Sequence, residues 1–160
     1  MAYSRTESSN KSNCWESMMD RTRLIEQLRV HEGVEHKPYK CTAGYLTIGV
    51  GRNIEERGIS DDEIDYLLNN DINIATDEVS ATYDWFFDLS EVRQRVIIDM
   101  VFNLGLPRFA QFKNMIAAIE AEDYVQASNE MMDSRWAQQV GLRASRLAEM
   151  METDEDTTDF

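Results

Sequence analysis

Leu28-Arg-Val-His-Glu32-Gly-Val-Glu-His-Lys-Pro-Tyr39-Lys-Cys41-Thr-Ala-Gly44-Tyr-Leu-Thr47-Ile-Gly-Val-Gly51-Arg52 is the stretch in which the chain changes character. Before it, Leu24, Ile25 and Leu28 recur at helical spacing, and Gly33 stands where a helix ends on a left-handed residue. After it the period falls to two. Thr42-Ala43-Gly44 supplies a turn, and Leu46, Ile48 and Val50 alternate with Tyr45, Thr47 and Gly49. With the aliphatic set facing a small core, Thr47 is expected to face the other way, toward solvent or a cleft.

From Ser60 the pattern is helical. Ser60-Asp-Asp-Glu63 reads as a capping box, with Ile64, Leu67, Leu68, Ile72 and Ile74 as the apolar face behind it. Val92, Val96, Ile97, Met100, Val101 and Leu104 form a broader stripe, suited to a buried central helix that ends at Gly105-Leu-Pro107. Further helices are expected to begin at Phe109, over Tyr124 to Met132, and over Arg143 to Met151. The fold class is therefore α+β, a small β-hairpin lobe followed by a bundle of helices. Residues 1–21 read as a polar, flexible N-terminal extension, 22–150 as the folded domain, and 151–160 as an acidic C-terminal tail.

Composition narrows the classes. A chain of 160 residues fits one domain, and it has no apolar run near the roughly 18 residues that cross a bilayer. The N-terminus lacks a secretory h-region. Cys14 and Cys41 make no disulfide framework, and His31 and His36 have no zinc-motif spacing, so no metal or other cofactor is expected. The net charge of −14 argues against nucleic-acid binding, which needs Lys and Arg to neutralise phosphates. Five acids lie between Glu152 and Phe160, and without them the body still carries −9, a solubilising surface.

Glu32 stands at the expected end of a helix, where the partial negative charge of the helix terminus disfavours a second one. A carboxyl there, if also partly buried, keeps its proton near neutral pH, as a general acid for glycosidic cleavage must. The residues around it are more specific. Glu-Gly-x5-Tyr-x-x-Thr-x-Gly-x-x-Thr-Ile-Gly-x-Gly, from Glu32 to Gly51, resembles the N-terminal active-site segment of phage-type lysozymes, the family of the T-even phage enzyme. Asp99-Met-Val-Phe-Asn-Leu-Gly105, Phe112-Lys-Asn114, Ser134-Arg-Trp136 and Arg143-Ala-x-x-Arg146 continue the likeness over about residues 22–150.

The resemblance implies a lysozyme-like fold with its cleft between a small β lobe and a larger helical one. It also implies Glu32 as catalytic acid and Thr47 as a second catalytic residue. The family's catalytic Asp, which handles the attacking water, is replaced here by Cys41. A thiolate at Cys41 could activate that water or attack the sugar itself, or Cys41 could do neither and leave the water to Thr47. Arg143 matches the Arg that supports the catalytic Glu. Asn53 and Phe102 match positions that contact sugar or line the cleft. Two further contact positions carry Met115 and Glu130 in place of small or amide side chains. Trp136, Tyr45 and Trp85 could stack on sugars, although packing accounts for each of them.

The implied activity is hydrolysis of the β-1,4 bond between N-acetylmuramic acid and N-acetylglucosamine in bacterial peptidoglycan, causing lysis. A lytic transglycosylase and a non-catalytic wall-binding or virion module are the alternatives on the same fold. A monomer without stable membrane insertion is expected. It would gather in the host cytoplasm and reach the periplasm and wall through a holin-made lesion.

Overall fold

The computed structural model describes residues 19–157. Most of the expected extension, including Cys14, lies outside these residues. The chain divides into two compact units, Met1–Asp61 and Asp62–Phe160.

The first unit opens with helix α1, Arg21–Glu32, whose N-cap Asp20 accepts a hydrogen bond from the Arg23 amide at 3.0 Å. Gly33, at φ +76°, ends it in the left-handed region that glycine tolerates best, as its position in the sequence predicts. In place of a simple hairpin there are three antiparallel strands in the order β1 (Glu35–Lys40), β2 (Leu46–Gly49) and β3 (Arg52–Asn53). Tyr39 pairs with Thr47, and Thr47 pairs with Asn53 on its other side. The third strand exists because Gly51, at φ +70°, turns the chain back after two residues. Asn53 then caps the short helix α2, Ile54–Arg57, accepting from the amides of Glu55 and Glu56.

One expectation for this unit is reversed. The period of two does place Thr47 opposite Leu46 and Ile48. Yet Thr47 is the buried residue, at 3% exposure, while Leu46, Ile48 and Val50 are half-buried. A hydroxyl lowered into this position needs an acceptor. The Tyr45 carbonyl oxygen supplies one at 3.1 Å.

The second unit is helical: α3 (Asp61–Thr82), α4 (Glu91–Leu104), α5 (Leu106–Phe109), α6 (Lys113–Glu120), α7 (Tyr124–Met132), α8 (Arg135–Val140) and α9 (Leu142–Thr153). Helix α4 is the central one, burying Val96, Ile97, Met100 and Val101 as its stripe predicts. Around it pack Phe86, Phe109, Ile119 and a set of methionines, Met100, Met115, Met131, Met150 and Met151, each at most 2% exposed. Methionine's unbranched thioether fills irregular gaps between short helices. The apolar face expected on α3 is not buried here. The helix contributes Ala75 and Val79 to this core, whereas Ile64, Leu67, Leu68, Ile72 and Ile74 are exposed. Only its last turns run against the core, and helical spacing does not reveal which turns those are.

Residues 154–157 of the acidic segment are tied to the helices. Helix α9 continues to Thr153, and Arg93 on α4 gathers its C-terminal end. The Arg93 guanidinium donates to the carbonyl oxygens of Met151 (2.9 Å) and Glu152 (3.3 Å), pairs with Asp154 at 3.3 Å, and lies 3.6 Å from the centroid of the Tyr124 ring. Ser90, the N-cap of α4, donates to Asp154, and Arg95 pairs with Asp156. Local charge density predicts repulsion and disorder for such a segment. Arginines from a distant helix supply the opposing charge.

Candidate active site

Glu32 is the last residue of α1, and the backbone at Gly51 faces its carboxylate. A Cβ built on Gly51 would lie 3.1 Å from Glu32 Oε2 and 3.5 Å from Cδ. The side chain is exposed, so the partial burial assumed from the sequence is not part of its setting. What fixes its surroundings is the glycine turn between β2 and β3, which leaves room for the carboxylate.

Cys41 and Thr47 form the second element of the site. Cys41 follows β1, and its amide donates to the Tyr45 carbonyl oxygen at 3.0 Å, while Gly44 N–H donates to the Cys41 carbonyl oxygen at 2.8 Å. These bonds curl the turn so that amides converge on the half-buried sulfur. The thiol is held below its ordinary pKa. The largest cause is the Ala43 amide; burial opposes it, and the Thr47 hydroxyl and the Tyr45 and Gly44 amides add to the lowering. The Thr47 hydroxyl donates to the Tyr45 carbonyl oxygen at 3.1 Å, and its place beside Cys41 favours the thiolate.

Each of the other residues singled out from sequence has its own setting within its unit. Asn53 lies across from Thr47, with its amide engaged in capping α2 and in donating to Glu56 at 3.1 Å. Phe102, 47% exposed, borders an apolar cavity of about 490 Å³ in the helical unit, together with Ile72, Ile98 and Arg143. Arg143 has a carboxylate partner inside that unit, donating to Asp99 Oδ1 at 2.9 Å and linking α9 to α4. Met115 and Trp136 are buried, and the indole N–H donates to Asn103 at 2.9 Å, so both pack and neither stacks openly. Trp85 is half-buried and donates to Glu120, while Tyr45 is 41% exposed. Residue types alone do not single out Gly51 as a partner of Glu32. The Gly-x-Gly that closes the motif is its available signal.

Among the described residues, no group of three or more His, Cys, Asp and Glu is placed to hold a metal. No helix among them is long and apolar enough to cross a membrane.

Residues 29–149 match the family model described as phage lysozyme. Probable T4-type lysozyme 1 of Dictyostelium discoideum is 28% identical, the match covering 81% of this chain and 94% of its own length. The SAR-endolysin of Escherichia phage Mu is 27% identical over 82% of this chain and 76% of its own. The pre-baseplate central spike protein Gp5 of Enterobacteria phage T4 is 28% identical over 78% of this chain but 26% of its own.

Proposed function

Because the chain belongs to the phage lysozyme family, we propose that it is a muramidase. It hydrolyses the β-1,4 bond between N-acetylmuramic acid and N-acetylglucosamine in bacterial peptidoglycan. The observation that carries this reading is Glu32 at the end of α1, set against the side-chain-free Gly51, with Cys41 and Thr47 on the same small unit.

Glu32 gives its proton to the glycosidic oxygen as the bond to the anomeric carbon breaks. A water attacks that carbon, and its proton passes to the Cys41 thiolate while Thr47 orients the pair. The two groups need opposite protonation states. Lowering the thiol's proton affinity enlarges the fraction of molecules in which Cys41 is ionised while Glu32 still holds its proton. In this reading Asn53 and Phe102 contact substrate and Arg143 has a supporting role, as the family resemblance implies.

The enzyme works without a cofactor, as a monomer, and reaches the wall from the host cytoplasm through a holin-made lesion. One observation favours a second reading. A lytic transglycosylase needs a single catalytic carboxyl, and position 41 lacks the second.

The test is zymography of Glu32→Gln beside the wild type, with mass analysis of the products. Loss of lysis by at least about a hundredfold in a folded variant is expected, since general acids contribute roughly 10²–10⁴. Reducing-end muramic acid identifies hydrolysis, and 1,6-anhydro products would establish the transglycosylase instead. Lysis at the wild-type rate by Glu32→Gln would end the assignment.

A further inference from the structure

The surplus of acid is divided unevenly between the two units. Residues 19–61, which carry Glu32, Cys41 and Thr47, hold seven Lys and Arg and seven Asp and Glu, and so are neutral. Residues 62–157 hold seven Lys and Arg against twenty Asp and Glu, a balance of −13. These acids are spread over many elements. Asp77 on α3, Asp84 and Asp88 between α3 and α4, and Glu149 on α9 are all exposed. Arg93, Arg95 and Arg143 pair with four acids of the unit. However its cations are placed, seven cannot neutralise twenty.

We infer that this enzyme selects peptidoglycan free of covalently attached phosphodiester polymers, and that the acidic helical unit enforces the choice by repulsion. Glycan strands that carry such polymers surround each scissile bond with fixed negative charge. The neutral unit bearing Glu32 cannot enter that field alone, because the chain runs on from Asp61 into the acidic unit. Charges act over roughly 30 Å at about 0.01 M salt and over about 10 Å at 0.1 M. Repulsion at low salt therefore slows association with a decorated wall, as opposite charge would speed it by about 10–10³. It needs no bound contact and acts before any sugar reaches Glu32, so the chemical step is untouched. The nature of the substrate rests on the muramidase reading.

The experiment uses the full chain and sacculi that bear phosphodiester polymers, before and after hydrofluoric acid, which cleaves phosphodiesters and leaves the glycan intact. Release of soluble muropeptides is measured at about 10 mM and about 200 mM NaCl, where screening lengths differ several-fold. Stripped sacculi should be digested at least about tenfold faster than intact ones at the lower salt, and within about twofold at the higher. Asp77→Lys, Asp84→Lys, Asp88→Lys and Glu149→Lys together add two charges each and bring the net charge from −14 to −6. That variant, with its thermal unfolding checked, should digest intact sacculi at least about threefold faster than the wild type at low salt, and stripped sacculi at the same rate. Asn and Gln at the same four positions, with a net charge of −10, should act in the same direction by less. Equal digestion of the two substrates by the wild type at low salt would overturn the inference. So would a gap that neither salt nor the variants narrow, since the polymer would then shield the glycan by bulk. Wild-type digestion of neither substrate would instead remove the muramidase reading, and the inference with it.

Discussion

Glu32 Oε2 lies where a methyl group on Gly51 would come within 3.1 Å of it, and Gly51 sits at φ +70°. Both facts oppose a side chain at this position. Gly51→Ala should cost roughly 1–2 kcal/mol in stability from the backbone alone. Activity should fall further than that, by at least about tenfold, because the displaced carboxyl no longer aims at the glycosidic oxygen. Turnover and thermal unfolding measured on the same preparation check this. A variant that loses stability but keeps turnover would show that Gly51 serves only the turn.

Cys41 gives a pH signature. Its thiol is held below the ordinary value by the Ala43 amide first of all, so the thiolate appears at lower pH than in an unfolded chain, where thiols titrate at about 8.5. Activity that needs the thiolate together with protonated Glu32 should rise with pH only until the thiol has ionised or Glu32 has lost its proton. Cys41→Asp should hold its activity to lower pH, since a carboxylate is already ionised there, and Cys41→Ala should lose most activity with little change in stability. Rate–pH profiles in a Cys14→Ser background decide it. Full activity of the Ala variant with an unshifted profile would leave Glu32 and Thr47 as the site.

Thr47 should control where the thiolate forms. Thr47→Val removes a donor that lowers the Cys41 pKa, so ionisation of the thiol should move to higher pH, and Thr47→Ser should restore it. The Tyr45 carbonyl oxygen keeps the Cys41 amide as donor in either variant, so the turn itself should survive. Thiolate absorbance titrated against pH reads the shift directly. No shift in Thr47→Val would mean that the backbone amides alone stabilise the anion.

Arg93 is expected to matter for stability and not for chemistry. Its side chain is 13% exposed and holds Asp154, two carbonyl oxygens at the end of α9 and the Tyr124 ring. Arg93→Ala should destabilise the protein by about 2 kcal/mol, because buried acceptors lose a charged donor. The melting temperature should drop by ~4–8 °C in a domain of this size. Arg93→Lys should recover part of the loss, as the ammonium replaces the charge without the planar fork. A melting temperature unchanged in Arg93→Ala would show that the acidic segment adds nothing to the fold.

The periodic helices are legible in the sequence because packing follows pattern there: the α4 stripe buries the residues it advertises, and Gly33 ends α1 where glycine spacing puts it. Two features are not legible. Whether α3 buries its aliphatic residues depends on which turns meet the core, a long-range fact that no local period encodes. The anchoring of residues 154–157 depends on Arg93 and Arg95, some sixty positions upstream, while the local charge run suggests the opposite. In the site, Glu32, Cys41 and Thr47 stand out by motif. The amide ring around Cys41 and the burial of Thr47 arise from turn geometry, which the residue types permit but do not spell out.

The five methionines of the helical core have a practical consequence for spectroscopy. Met100, Met115, Met131, Met150 and Met151 place methyl groups across that core, while Met19 is the described methionine of the first unit and is 49% exposed. Methyl-labelled methionine would therefore produce resonances that follow the helical unit as it melts and remain nearly silent about the strands carrying Cys41 and Thr47. Set beside the thiolate absorbance of Cys41, such spectra would tell whether the two units unfold together or in turn. No foreign probe would have to be introduced.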